Sequence, residues 1–116
     1  MVEGKQGSLV SQMRRGTIAY CVMALLQDGS RYGFDLVRAL GSVDGMVTSE
    51  GTIYPLLARL RRDGSVKRAW RESPSGPPRR YYELTPSGEA SLREFIEECA
   101  RFSDAVDGLL RKGRQS

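Results

Sequence analysis

Ser49-Glu50-Gly51-Thr52-Ile53-Tyr54-Pro55-Leu56-Leu57-Ala58-Arg59-Leu60-Arg61-Arg62-Asp63-Gly64 is the stretch on which the fold turns. Ile53, Leu56, Leu57 and Leu60 recur at i, i+3, i+4 and i+7, the stripe of a one-sided helix. Thr48 or Ser49 supplies its N-cap and Gly64 its stop. At about 100° per residue the four apolar side chains cluster within about 60° of Ile53. Gly51, Pro55, Ala58 and Arg62 fall opposite, with Thr52, Tyr54 and Arg59 on the flanks. Pro55 removes one backbone hydrogen bond from the helix interior. Small residues near the start of the outward face allow close approach to another surface, and the positive end of the helix favours anions.

Working towards the C-terminus, Ser65 to Arg71 alternates. Val66, Arg68 and Trp70 share one face, and Ser65, Lys67, Ala69 and Arg71 the other. Neither is cleanly apolar, so a partly exposed strand is expected. Trp70 reads as packing at the base of the wing, with a stacking platform as the alternative. Ser73-Pro74-Ser75-Gly76-Pro77-Pro78 is a breaker-rich tip, and Arg79 to Leu84 returns as the second strand, sending Arg79 and Arg80 to opposite faces. Thr85-Pro86 reads as N-cap and N1 proline of a last helix. In it Leu92, Phe95, Cys99, Phe102, Val106 and Leu109 recur at alternating +3 and +4 steps, a heptad seam. Ile96 and Leu110 widen that seam. Pairing with a second chain buries it more economically than folding back.

Working towards the N-terminus, Ser30 caps a helix over Arg31 to Leu40, with Tyr32, Leu36, Val37 and Leu40 on one face. Gly41 and Gly45 bracket a turn. Thr17 caps an almost wholly apolar helix, Ile18 to Leu26, closed by Asp28-Gly29. Leu9 to Met13 is a turn or two of helix before Arg15-Gly16, after a loose arm, Met1 to Gly7. The expected organisation is an arm and short helix over 1–14, a helical unit with a hairpin over 15–85, a helix over 86–112 and a tail over 113–116.

The charges are polarised along the chain. Between Arg59 and Arg80 eight basic residues stand against Asp63 and Glu72, a balance of +6. Between Glu83 and Asp107 seven acids stand against Arg93 and Arg101, a balance of −5. A whole-chain charge of +4 conceals a polyanion-binding half and an acidic half. Three short helices and a basic hairpin in this order suit duplex DNA, the third helix entering a groove. Ser49, Thr52 and Tyr54 can donate to phosphate oxygens, and Arg59, Arg62, Lys67, Arg79 and Arg80 supply charge.

Other chemistries lack their residues. With no histidine and only Cys21 and Cys99, the chain cannot build a His/Cys zinc site or a histidine-activated nucleophile. No phosphate loop or dinucleotide fingerprint occurs. No catalytic residue, metal or cofactor is expected. The longest apolar run, Ile18 to Leu26, is too short for a bilayer span and too deep for a signal peptide, which points to the cytoplasm.

Three blocks carry a resemblance. Tyr32-Gly33-Phe34-Asp35-Leu36, the Ser49 to Leu60 segment with Gly-Thr-Ile-Tyr-Pro at 51–55, and Gly76-Pro77-Pro78-Arg79-Arg80-Tyr81-Tyr82 followed by Leu84-Thr85 and Gly88 together resemble the PadR family of bacterial transcriptional regulators. The resemblance runs from about Arg15 to Leu110. It implies a mainly α fold with a small β-hairpin: a winged helix-turn-helix plus a C-terminal dimerisation helix. It further implies a homodimer on a palindromic operator of double-stranded DNA, usually as a repressor. By position, Ser49, Thr52 and Tyr54 would contact groove or phosphate, while Lys67, Arg79 and Arg80 would belong to the wing. One C-terminal helix is similar to the short branch of the family. Some short members hold flat aromatic ligands between protomers with a tryptophan on that helix. This chain has Phe95 and Phe102 there and its only Trp in the wing, a departure from the pattern. A small apolar or aromatic effector is thus a further candidate partner. The rival to DNA binding is a winged-helix module whose basic wing meets an acidic protein.

Overall fold

The computed structural model describes residues 9–43, 49–73 and 76–115. The arm over 1–7, Ser8, Gly45, the alternative cap Thr48, Pro74 and Ser75 of the tip and Ser116 of the tail lie outside the described residues. Four helices and a small sheet follow in order: α1 (Leu9–Leu25), β1 (Arg31–Tyr32), α2 (Gly33–Gly41), α3 (Glu50–Arg62), β2 (Val66–Ser73), β3 (Gly76–Leu84) and α4 (Pro86–Gln115). The mainly helical class, the hairpin and the long last helix are as expected from the sequence.

Two elements near the N-terminus differ from expectation. The short helix before Arg15-Gly16 and the apolar helix after it are one helix, α1, so Thr17 lies inside it and is not a cap. A glycine inside a helix costs about 1 kcal/mol. The buried side chains of Val22 and Met23 downstream more than offset that. Ser30 does not open α2 either. Arg31 and Tyr32 leave the helical path and pair antiparallel with Tyr82 and Tyr81, giving a three-stranded sheet of order β1-β3-β2. Arg31 Nε donates to the Leu25 carbonyl at 2.8 Å, satisfying one of the open acceptors at the end of α1. Helix α2 therefore begins at Gly33, after Tyr32 in extended conformation.

The core is formed where α1, α2 and α3 meet the root of the hairpin. Val22, Leu36, Ile53 and Leu57 are fully enclosed, and Val66, Tyr82 and Leu84 close the core from the sheet. Gly64, at φ +81°, makes the tight reversal from α3 into β2, a conformation that side chains disfavour. In the sheet Val66 pairs with Leu84, Arg68 with Tyr82 and Trp70 with Arg80, so these six side chains share one face. That face has core to pack against only near the root. Further out, Trp70 is 61% exposed and does not pack at the wing base, the role expected for it ahead of stacking.

Helix α4 is rooted firmly. Thr85 Oγ1 accepts the Gly88 N–H at 3.0 Å and donates to the Gly64 carbonyl at 2.6 Å, so the expected N-cap also ties α4 to the α3–β2 turn. The Thr85 N–H donates to the Ser65 carbonyl at 3.1 Å. Gly88 lies so close to that turn that an added methyl would overlap the Ser65 carbonyl and come within 2.9 Å of Leu84 Cδ1. Both groups sit in fixed backbone or core, so neither yields readily. Gly88→Ala is expected to lower stability by roughly 1–3 kcal/mol despite alanine's better helix propensity. A thermal melt at or above the parent temperature would show that the turn can retreat.

Candidate nucleic-acid interface

Helix α3 buries Ile53, Leu56, Leu57 and Leu60, and it leaves Gly51, Thr52, Pro55 and Arg62 outward. Ser49 is the N-cap residue in extended conformation, yet its side chain makes no capping hydrogen bond. Its carbonyl accepts the N–H groups of Thr52 and Ile53 at 3.0 and 2.9 Å. The exposed Ser49 and Thr52 hydroxyls thus border the positive end of the helix, where donors and dipole favour phosphate. Pro55 is exposed, so the carbonyl it fails to pair is on the outward side.

Tyr54 is half-buried beside the start of α2. Gly33 makes room for it: a Cβ there would lie 2.8 Å from Cε1 of the ring and 3.0 Å from its hydroxyl oxygen. Burial, reinforced by the Glu50 carboxylate, raises the Tyr54 phenol above its usual range, so near neutral pH it remains a proton donor.

Three of the hairpin's four arginines lie over aromatic rings. The Arg79 guanidinium lies over Tyr32 at 4.4 Å, Arg80 over Trp70 at 5.2 Å and Arg71 over Tyr81 at 5.0 Å. Arg79 and Arg80 lie on opposite faces, as the alternation indicates. Lys67 differs, for its Nζ is 3.9 Å from a Glu83 carboxylate oxygen, which partly neutralises it at the wing root. Between wing and α3 opens a cleft of about 480 Å³, walled by Tyr32, Gly33, Tyr54, Trp70, Pro77, Pro78, Arg79 and Arg80. Tyr54 is brought together there with Arg79 and Arg80. Arg59 is not, because it lies on the opposite flank of α3, lining clefts towards α1 with Ile18 and Tyr20. Trp70 joins the cleft although wing-base packing was the role expected of it; its distance from the core root was the missing signal.

On α4 the heptad divides. Leu92 is 2% exposed and belongs to the protomer's own core, so it is withdrawn from the expected seam. Phe95 is half-buried and stacks on Tyr20 of α1, with centroids 4.0 Å apart and planes within 2°. Helix α1 already occupies this end of the stripe. Further along, Cys99 is exposed, Val106 is half-buried, and Phe102 and Leu109 are 72% and 71% exposed, joined by Ile96 and Leu110. An apolar strip that open on one helix marks an interaction surface.

Among the described residues no group of three or more His, Cys, Asp or Glu side chains is placed to hold a metal ion. Among them, too, no helix is long and apolar enough to cross a membrane.

Residues 22–94 match the transcriptional regulator PadR-like family. A PadR-like transcription factor of Bacteroides fragilis is 39% identical, over 85% of this chain and 95% of that one, with a TM-score of 0.73. A PadR-like transcriptional regulator of Bacillus cereus is 33% identical, over 86% and 97% of the two chains, with a TM-score of 0.79. A transcriptional regulator of Mycobacterium tuberculosis is 34% identical over 93 residues, covering 78% of this chain and 85% of that protein.

Proposed function

Because the chain belongs to the PadR-like family of DNA-binding transcriptional regulators, in its short branch, we propose that it represses transcription as a homodimer on a palindromic operator. As a regulator it is not an enzyme. The observation that carries the reading is the convergence of Tyr54 of α3 with Arg79 and Arg80 of the wing across one open cleft, while the α4 strip stays uncovered at the other end. Two α4 strips, packed through Phe102, Val106 and Leu109, hold the protomers together. The paired α3 helices enter successive major grooves about 34 Å apart on straight duplex. Ser49 and Thr52 meet phosphate at the N-terminus of α3, with Tyr54 donating from the cleft and Arg62 from the far end. A small apolar or aromatic effector at the dimer seam releases the operator; the open apolar strip of α4, with Phe102 and Leu109, supports an apolar ligand there.

Footprinting on DNA upstream of the protein's own gene, followed by a salt titration on the protected fragment, tests this. Arg62, Arg79 and Arg80 from two protomers make about six phosphate contacts, so log affinity should fall with log salt at a slope of about −5. That is about a thousandfold loss between 50 and 200 mM salt. A flat titration, or equal binding to any fragment, would remove the regulator reading and favour an acidic protein partner.

A further inference from the structure

We infer that Trp70, through its ring, is the positioning residue for the wing's grip on DNA: it holds the Arg80 guanidinium, still fully charged, at the mouth of the cleft beside α3. The inference rests on the DNA-binding reading and adds the device by which the wing is readied.

Trp70 does nothing for the core, being 61% exposed on the outer part of β2. An indole left that open calls for a local cause. The register supplies one, since Trp70 is directly paired with Arg80, and the guanidinium lies over the ring at 5.2 Å. Within about 6 Å a ring face attracts a cation electrostatically. A carboxylate would also fix the arginine, but it would cancel the charge and occupy N–H donors. An acidic partner must then be displaced before phosphate can bind. A ring leaves the charge intact and the donors available to phosphate. Lys67, with the Glu83 carboxylate 3.9 Å away, is the contrasting case on the same hairpin. Among the described residues Arg71, Arg79 and Arg80 all rest on rings, but Tyr32 and Tyr81 also pack in the sheet at 5.9 Å from each other. Trp70 is the most exposed of these rings, and Arg80 lies over it. A guanidinium held in place also gives up less conformational freedom on binding than a freely rotating one.

The test is a double-mutant cycle in the dimer, read by operator affinity at several salt concentrations. Trp70→Ala should weaken binding by about tenfold with the melting temperature and the salt slope unchanged, since no charge is lost. Trp70→Phe should recover most of that affinity. Arg80→Ala should reduce the slope by about 2, one contact from each protomer. Adding Trp70→Ala to Arg80→Ala should cost nothing further. If the parent protein binds DNA and Trp70→Ala binds equally well, the inference fails alone and the regulator reading stands. If the tryptophan effect persists in the Arg80→Ala background, the indole touches DNA on its own account and the positioning role is overturned. If the parent protein shows no salt-dependent binding to any fragment, both fall together.

Discussion

Phe102→Asp should give a monomeric protein whose operator affinity is at least about a hundredfold below that of the parent. Phe102 is the most open large apolar side chain on α4, at 72% exposure, with no packing role in its own protomer. The change therefore leaves the fold intact while placing a charge in the proposed seam, where desolvation without a partner costs several kcal/mol. Once separate, the two half-site contacts no longer reinforce one another. Effective concentration in a linked pair typically multiplies affinity by about 10² to 10⁴. Light scattering reads the oligomeric state, and a gel shift on whole and half operators reads the coupling. Leu92→Asp is the informative contrast: it should unfold the protomer rather than merely part the dimer, because Leu92 is core. A Phe102→Asp protein that remains dimeric would move the interface off α4.

The double change Arg79→Ala/Arg80→Ala should weaken operator binding on the order of a thousandfold near 100 mM salt, because it removes four phosphate contacts from the dimer. The salt slope should drop from about −5 to about −2, the portion left to α3. Dimerisation should be untouched, for the wing shares no packing with the exposed strip of α4. Were the slope unchanged, these guanidinium groups would be bystanders and the cationic grip would lie elsewhere. Lys67→Ala should do much less, since Lys67 lies at the wing root, away from the cleft, with the Glu83 carboxylate 3.9 Å from its Nζ.

Much of this was legible in the sequence, and the failures have a common cause. Helix α3 announced itself because four apolar side chains fall on one stripe and Gly64 takes a backbone angle that glycine alone adopts freely. Thr85-Pro86 and Gly88 marked the root of α4 through local capping chemistry. What escaped was set by neighbours distant in sequence. Two residues of strand, Arg31 and Tyr32, hold no period, and only the edge of β3 draws them out of the helical path. The cap signal at Thr17 was real chemistry in the wrong place, overridden by burial further along α1. A heptad repeats without saying which chain covers it, so Leu92 and Phe102 looked equivalent. The docking of α4 decides that one is core and the other open. Alternation in β2 likewise could not tell where the core ends, so it left the place of Trp70 open between packing and stacking.

The anchorage at Thr85 and Gly88 has a mechanical corollary. At about 1.5 Å per residue, a rigid rod of thirty residues reaches about 45 Å, and a pivot of about 10° at its base sweeps the free end through about 8 Å. With the rods of two subunits clasped, that sweep appears instead at the reading heads, whose separation must match a full helical repeat. A wedge of a few ångströms between the rods would therefore throw both heads out of phase with the duplex, with no change in the heads themselves.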